Sequence, residues 1–212
     1  MGEQTMADDL RPVAVVLAGG KAQRMGGGDK GLLWLRRRPL LDHVLDRVRP
    51  QVRAIALNAN GDPRRFAQYG LPLLADPVPG QPGPLAGVLA GLRWARTMRP
   101  AAPLLLTVPT DTPLLPDDLV RRLMQARTAS GAAVACAASR GQRHPVVALW
   151  SVDLAENLAA ALAAGERGVA EWAEGQGLVV VDFTTEAPPD APDPFLNVND
   201  RADLARAARQ MG

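Results

Sequence analysis

Short apolar runs recur along the 212-residue chain, separated by stretches in which apolar residues return every three or four positions. Val13–Leu17, Ala54–Leu57, Leu71–Leu74, Leu104–Val108, Ala132–Ala137, Val146–Trp150 and Leu178–Val181 have the length and apolar character of buried strands. Behind Pro39, apolar residues at 40, 41, 44, 45 and 48 predict an amphipathic helix over Leu40–Val48, with the proline suited to its first turn. Similar patterns mark Pro84–Arg96, Pro116–Arg127, Asp153–Ala164 and Arg201–Arg209. Strand, helix, strand in repetition predicts crossover units on a mostly parallel sheet with helices on both faces, a three-layer α/β/α sandwich. No repeat or long linker interrupts the alternation, and the four prolines of Glu186–Pro194 mark a surface loop.

Composition narrows the class. A hydrophobic fraction of 47% in a chain of this length supports one substantial core, hence a single domain over 1–212. The lone Cys136 excludes an intramolecular disulfide, and within Ala132–Ala138 it reads as core packing. With two histidines in the chain, zinc has no His/Cys cluster, so a metal would be held by oxygen, which points to magnesium. A net charge of +2 gives little support to nucleic-acid binding. The polar, acidic start MGEQTMADDLRP and the short apolar run behind it fit neither an export signal nor a membrane span, so the expected setting is cytoplasmic, without a membrane partner.

In this fold class ligands collect at the carboxyl ends of the strands. The loops leaving the first four strand candidates, LAGG, NAN, ADPVPGQPGPLAG and PTDTPLLP, bring glycines, asparagines and two aspartates to one edge. LAGGKAQRMGGGDK, residues 17–30, carries five glycines. Gly26-Gly27-Gly28-Asp29-Lys30-Gly31 satisfies GxGxxG but begins nine residues past the strand, which argues against a dinucleotide fingerprint, and GxxxxGK[ST] is absent. Gly19 and Gly20 instead let backbone approach a ligand, and consecutive N–H groups can form an anion nest. Of 24 cationic residues 22 are arginine, and the two lysines, Lys21 and Lys30, both lie in this loop. A compact ammonium kept here in an arginine-rich chain points to phosphate rather than a plain turn.

Asp111, in Thr107-Val108-Pro109-Thr110-Asp111-Thr112-Pro113, follows a strand end, with Asp117 or Asp118 better placed to cap the next helix, so Asp111 is free for a metal. Asp76 holds the equivalent place in the third loop and reads either as a ligand or as an Asp-Pro turn former. Carboxylate, magnesium and lysine are the parts that phosphoryl and nucleotidyl transfer require. Arg36-Arg37-Arg38 reads as a solvated charge run in a turn.

LAGGKAQRMGGGDKGLL resembles the signature loop of small nucleotidyltransferases, and its RMGGGDKGLL end is most similar to the molybdenum cofactor guanylyltransferases, the MobA family. Asn58-Ala59-Asn60, Asp76, GQPGPLAG at 80–87, PTDTP at 109–113, His144-Pro145, AGER at 164–167 and FLNVN at 195–199 fall in that family's order. The resemblance implies a Rossmann-like nucleotidyltransferase fold with a nucleotide half at about 11–115 and an acceptor half at about 116–212. It implies transfer of GMP from GTP to molybdenum-loaded molybdopterin with release of pyrophosphate. Leu17, Ala18, Gly19 and Gly20 would hold guanine and ribose, Asn58 and Asp76 the nucleoside, Lys30 the phosphates with Arg24 assisting, and Asp111 Mg2+. Gly83–Gly87 would bring a helix amino terminus to the nucleotide. Asn197, Asn199, Arg167 and His144 are the acceptor-side candidates, although Gly168 stands where relatives are often basic. The asparagines read equally as turn residues, and His144 also reads as a structural hydrogen-bonding group. Molybdenum cofactor biosynthesis proteins and recipient molybdoenzymes are the implied partners. A cytidylyltransferase on the same pterin, a relative using another phosphorylated acceptor, and a non-catalytic GTP-binding assembly factor share the loop.

Overall fold

The computed structural model describes residues 11–20, 27–78, 83–98, 102–185, 188 and 191–211. Strand β1 (Val13–Leu17) is flanked in parallel by β4 (Ala54–Asn58) and β6 (Leu104–Pro109), and β5 (Leu73–Leu74) extends the parallel set beyond β4. On the other side, β8 (Gln142–Ser151) runs antiparallel to both β6 and β7 (Val134–Ser139), and β9 (Leu178–Asp182) pairs parallel with β7. The order across the sheet is β5-β4-β1-β6-β8-β7-β9, so one antiparallel strand is inserted in an otherwise parallel sheet.

Helices α1 (Leu40–Val48) and α3 (Leu119–Ser130) cover one face, where Ala14 and Val16 of β1 meet Leu41, Val44, Leu119 and Leu123. The alternate residues Val13 and Val15 face α2 (Pro84–Thr97), α4 (Ala155–Ala163) and α5 (Val169–Gly175) through Leu89, Leu92, Leu158 and Trp172. This alternation of one strand between two cores makes the three layers the sequence predicts. A smaller cluster joins Leu35, Leu40, Val198 and Ala207, seating α6 (Arg201–Gln210) against the hairpin β2 (Trp34–Leu35) and β3 (Arg38–Pro39). Among the described residues no helix is long and apolar enough to cross a membrane.

The amphipathic pattern behind Pro39 becomes α1 with the expected bounds, and Leu40, Leu41, Val44, Leu45 and Val48 are all buried. Elsewhere turn chemistry shifts the boundaries. The helix expected at Pro116 starts only at Leu119, and neither predicted aspartate caps it with its side chain. Asp117 pairs with Arg47 at 2.7 Å and Asp118 with Arg121 at 2.6 Å, while Gln51 Oε1 accepts the Val120 N–H at 2.9 Å and does the capping across the chain. The strands expected at 132–137 and 146–150 form a hairpin instead of belonging to crossover units, closed by Arg140 and Gly141 with φ of 50° and 76°. That two-residue turn lets polar Gln142, Arg143 and His144 extend β8, so the apolar run covers only its inner half. Arg36 and Arg37 form a second such turn, with φ of 49° and 73°, and Arg38 pairs with Asp46 at 2.8 Å. Short α5 carries too few apolar turns to stand out in the sequence.

The β7–β8 hairpin is tied to the segment before residue 195. Ser139 Oγ donates to Asp193 Oδ1 at 2.8 Å, which commits its one proton, so His144 Nε2, 2.7 Å away, is the donor to Ser139. The His144 ring lies 4.9 Å from that of Phe195. Burial holds the imidazole below its ordinary value of 6.5, against the opposing pull of Asp193 and Asp182.

Two outcomes follow from this packing. An alanine Cβ at Gly91 would lie 2.8 Å from both Leu105 Cδ2 and Val15 Cγ2. Glycine to alanine within a helix otherwise stabilises by about 1 kcal/mol, so a lower unfolding free energy for Gly91→Ala in urea titration identifies overpacking as the larger effect. Because the unfolded chain binds a proton more readily than folded His144, stability falls as pH drops below about 6.5 and is flat above it on this account. Unfolding titrations of wild type and His144→Gln across pH 5–8 should differ in slope in that acidic window.

Candidate active site

The parallel ladder sets Leu17, Asn58 and Pro109 on one row, since Leu17 pairs with both of the others, and Asn58 pairs in turn with Leu74. Every loop that leaves this row therefore starts at the same level. Together they line a cleft of about 750 Å³, reached by Leu17–Gly20, Asp29 and Lys30 on one side and by residues 142–147 of β8 and Asn197 on the other.

At one end the asparagine loop and Asp76 form a closed polar set. Asn58 Nδ2 donates to Asp76 Oδ1 at 2.9 Å and to Leu74 O at 3.1 Å. Asn60 Nδ2 donates to Asp76 Oδ2 at 2.6 Å, and the Asp76 N–H returns to Asn60 Oδ1 at 2.9 Å. Both Asp76 oxygens are thus oriented by amides, and Asp76 lines the cleft. Gly87 of α2 is needed for this arrangement, because a Cβ there would fall 2.3 Å from Asn58 Oδ1 and 2.7 Å from Leu17 Cδ2. Gly83 and Pro84, the start of α2, also line the cleft.

At the glycine loop, Ala18 N–H is committed to Asn58 O at 2.8 Å, and Gly20 O accepts the Lys30 N–H at 3.1 Å. Gly19 and Gly20 are exposed, and among the described residues a Cβ on Gly19 would meet nothing within 4 Å, and one on Gly20 only the Lys30 side chain at 3.9 Å. Two glycines that the packing of the described residues does not require fit a surface that a ligand approaches.

Between the two walls stands Lys30. Its Nζ donates to Asp111 Oδ2 at 2.5 Å and to Asn199 Oδ1 at 2.7 Å. The lysine and aspartate side chains are 13% and 17% exposed, so their attraction is less screened than that of a surface pair. The loop bearing Asn199 docks on the loop bearing Asp111: Val198 N–H donates to Asp111 O at 2.8 Å, and Thr112 Oγ1 to Asn197 Oδ1 at 2.9 Å. Asp200 caps α6 by accepting the Asp203 N–H at 2.9 Å, and Asp203 accepts from Asn199 N at 2.9 Å, which fixes Asn199 toward Lys30.

The structure thus brings together Leu17, Ala18, Gly19, Gly20, Lys30, Asn58, Asp76, Asp111, His144 and Asn197, with Asn199 joined through Lys30. His144 lines the cleft while serving the Ser139–Asp193 tie. Arg167 lies outside the residues that line the cleft, and its guanidinium donates to Leu162 O at 3.2 Å at the carboxyl end of α4. The reason is local, since Glu166 Oε1 accepts both the Arg167 and Gly168 N–H groups and closes the motif on itself, which also holds the Glu166 carboxyl below its ordinary range. Arg24 and Lys21 lie outside the described residues. Arg65 and Gln142 line the cleft without having been singled out in the sequence, and Asp29 and Asn60, named there only within motifs, line it too. For Arg65 the available signal was Asp62-Pro63, which starts the 3-10 helix Pro63–Tyr69 through Asp62 Oδ1 accepting the Arg64 N–H at 3.0 Å.

The family described as MobA-like NTP transferase domain matches residues 14–179. A molybdenum cofactor guanylyltransferase of Rhodopseudomonas palustris (strain BisB5) is 52% identical over 205 residues, covering 96% of each chain. One of Bradyrhizobium sp. (strain ORS 278) is 48% identical over 197 residues, 92% of this chain and 91% of its own. Among solved structures, molybdopterin-guanine dinucleotide biosynthesis protein A of Archaeoglobus fulgidus superposes with a TM-score of 0.75 at 20% identity, covering 93% of this chain and 97% of its own, a likeness of fold. With a family match over most of its length and relatives near half identity across nearly all of it, the chain belongs to the MobA-like NTP transferases and is an enzyme of nucleotidyltransferase type.

Proposed function

We propose that the chain transfers GMP from GTP to the terminal phosphate of molybdenum-loaded molybdopterin, in the cytoplasm, releasing pyrophosphate and forming the guanine dinucleotide cofactor. The observation that carries this reading is the Lys30–Asp111 pair at 2.5 Å on the floor of a two-walled cleft. Guanylyltransferase relatives at 46–52% identity support the choice of nucleotide and acceptor. On this reading residues 11–115 supply the nucleotide wall and 116–212 the acceptor wall within one domain.

The Asn58–Asp76–Asn60 set suits guanine, whose N1–H and exocyclic amine need an oriented acceptor such as the Asp76 carboxylate. Lys30 then faces the phosphates. An ammonium has three donors, of which Asp111 and Asn199 take two, so one remains for a phosphate oxygen as pyrophosphate departs. The acceptor phosphate is already ionised near neutral pH, so the cleft needs no general base, and its part is to hold the two substrates in line. On this reading the half-buried His144 and the exposed Asn197, which line the opposite wall, would contact the pterin.

Magnesium fits the donors present. Among the described residues no group of three or more His, Cys, Asp or Glu forms a ready-made metal cage. Asp111 Oδ1 takes no hydrogen bond from the described residues, and Mg2+ is commonly held by one or two carboxylates together with substrate phosphates and water. Asp111 would hold the ion, which when bound neutralises phosphate charge. Proteins that deliver the pterin and molybdoenzymes that receive the product complete the proposed partners.

The test is pyrophosphate release with each of the four nucleoside triphosphates, with and without molybdopterin and with magnesium chelated. Release with GTP, acceptor and magnesium together is expected, whereas CTP as the preferred donor, or GTP binding without release, overturns the assignment. Lys30→Ala and Asp111→Ala are expected to lose about a hundredfold or more in kcat while the fold persists, as initial rates and circular dichroism would report. Gly87→Ala should displace Asn58 and raise KM for GTP while Gly19→Ala keeps wild-type stability, as equilibrium unfolding and initial rates would report.

A further inference from the structure

Asp29 occupies the position before the 3-10 turn Lys30–Leu32, where an aspartate ordinarily caps through its side chain, yet it makes no such bond. Its carboxylate, in a side chain only 12% exposed, is turned to the guanidinium of Arg65, 36 residues away. Arg65 in turn is fixed by three groups. Nη1 donates to Asp29 Oδ1, Nη2 to Asn60 O, and Nε to Asp62 O at 3.0 Å. The guanidinium also lies over the Phe66 ring, its carbon 5.3 Å from the centroid.

One guanidinium therefore joins the two ends of the nucleotide wall. On one side is the asparagine loop, whose Asn60 orients Asp76. On the other is the Asp29-Lys30 segment, which meets the glycine loop through Lys30 N–H to Gly20 O at 3.1 Å. We propose that the Asp29–Arg65 pair is a positioning clamp that sets Lys30 at a fixed distance from the base-reading loop, so that a nucleoside triphosphate spanning both ends finds its cation in place. This rests on the nucleotide reading of the cleft. Arg65 acts by holding the Asp29-Lys30 segment to the Asn60 backbone, since its charge is met by Asp29, and a rigid planar fork suits it to hold two loops at once.

The clamp predicts a sign that plain electrostatics does not. Removing a carboxylate beside a polyphosphate site should tighten an anion by Coulomb attraction alone. Loss of the clamp should weaken it, because Lys30 loses its register. GTP affinity is measured by calorimetric titration for wild type, Asp29→Asn, Arg65→Gln and the double variant, with guanosine as a probe that lacks phosphate and with melting curves for each protein. Arg65→Lys, which keeps the charge but not the fork, replaces any variant that fails to fold.

Each single variant is expected to weaken GTP by about tenfold or more, with guanosine within about twofold and the double variant no worse than the poorer single one. In a Lys30→Met background the same substitutions should change GTP affinity little. Equal or tighter GTP binding by Asp29→Asn, an equal loss for guanosine and GTP, or a full loss in the Lys30→Met background overturns the clamp. Failure of wild type to bind GTP at all would instead overturn the nucleotide reading beneath it.

Discussion

The row of β-sheet pairing that holds Leu17, Asn58 and Pro109 level is the constraint on which the site depends. In a parallel sheet every strand delivers its following loop to the same edge, and the register decides whether those loops meet or miss by a residue pitch of about 3.3 Å. Here the pairing leaves the glycine loop, the asparagine loop and the Asp111 loop starting together. Packing enforces that register from both faces, because a one-residue slip of β1 would turn Val13 and Val15 toward the helices that now receive Ala14 and Val16. Gly87 and Gly91, one helical turn apart on α2, let the helix axis approach closely enough to brace Asn58 from beneath.

The carboxyl-terminal part of the chain completes what the first half begins. Val198 donates to the backbone of Asp111, Thr112 holds Asn197, and Asn199 reaches Lys30, so residues before and after the antiparallel strand share one hydrogen-bonded floor. α6 adds to this through its cap, where Asp203 takes the Asn199 N–H and the helix packs on the Leu35–Leu40 hairpin cluster. A lysine and an aspartate that are both largely removed from water depend on such exact surroundings, since desolvation of either without the other is costly.

Much of this was legible in the chain itself, for reasons that can be named. Core periodicity located α1 and β1 to the residue because their apolar runs are well defined, and the glycine loop drew attention through its glycines and its lysine usage. The β7–β8 hairpin was not legible: its turn uses Arg140 at positive φ rather than the Asn-Gly signal, and half of β8 is polar. Long-range polar geometry was hidden for a different reason. Gln51 capping α3, Arg65 meeting Asp29, and Arg167 closing on its own helix all depend on which loops become neighbours, and a linear pattern does not carry that information. Asp76 lay between the two cases, since its Asp-Pro turn was visible but the two amides that orient it were not.

Why a lysine stands at position 30 in a chain where 22 of 24 cationic residues are arginine follows from the contacts around it. Asp111 Oδ2 and Asn199 Oδ1 approach one nitrogen from different loops at 2.5 and 2.7 Å. A tetrahedral ammonium can satisfy both and keep a third proton for a ligand, whereas the donors of a guanidinium are confined to one plane. Arg65 shows the complementary case nearby, where its planar fork reaches Asp29, Asn60 and Asp62. The division of labour is therefore geometric. The planar cation holds loops to one another, and the compact one, with a donor to spare, faces the space between them.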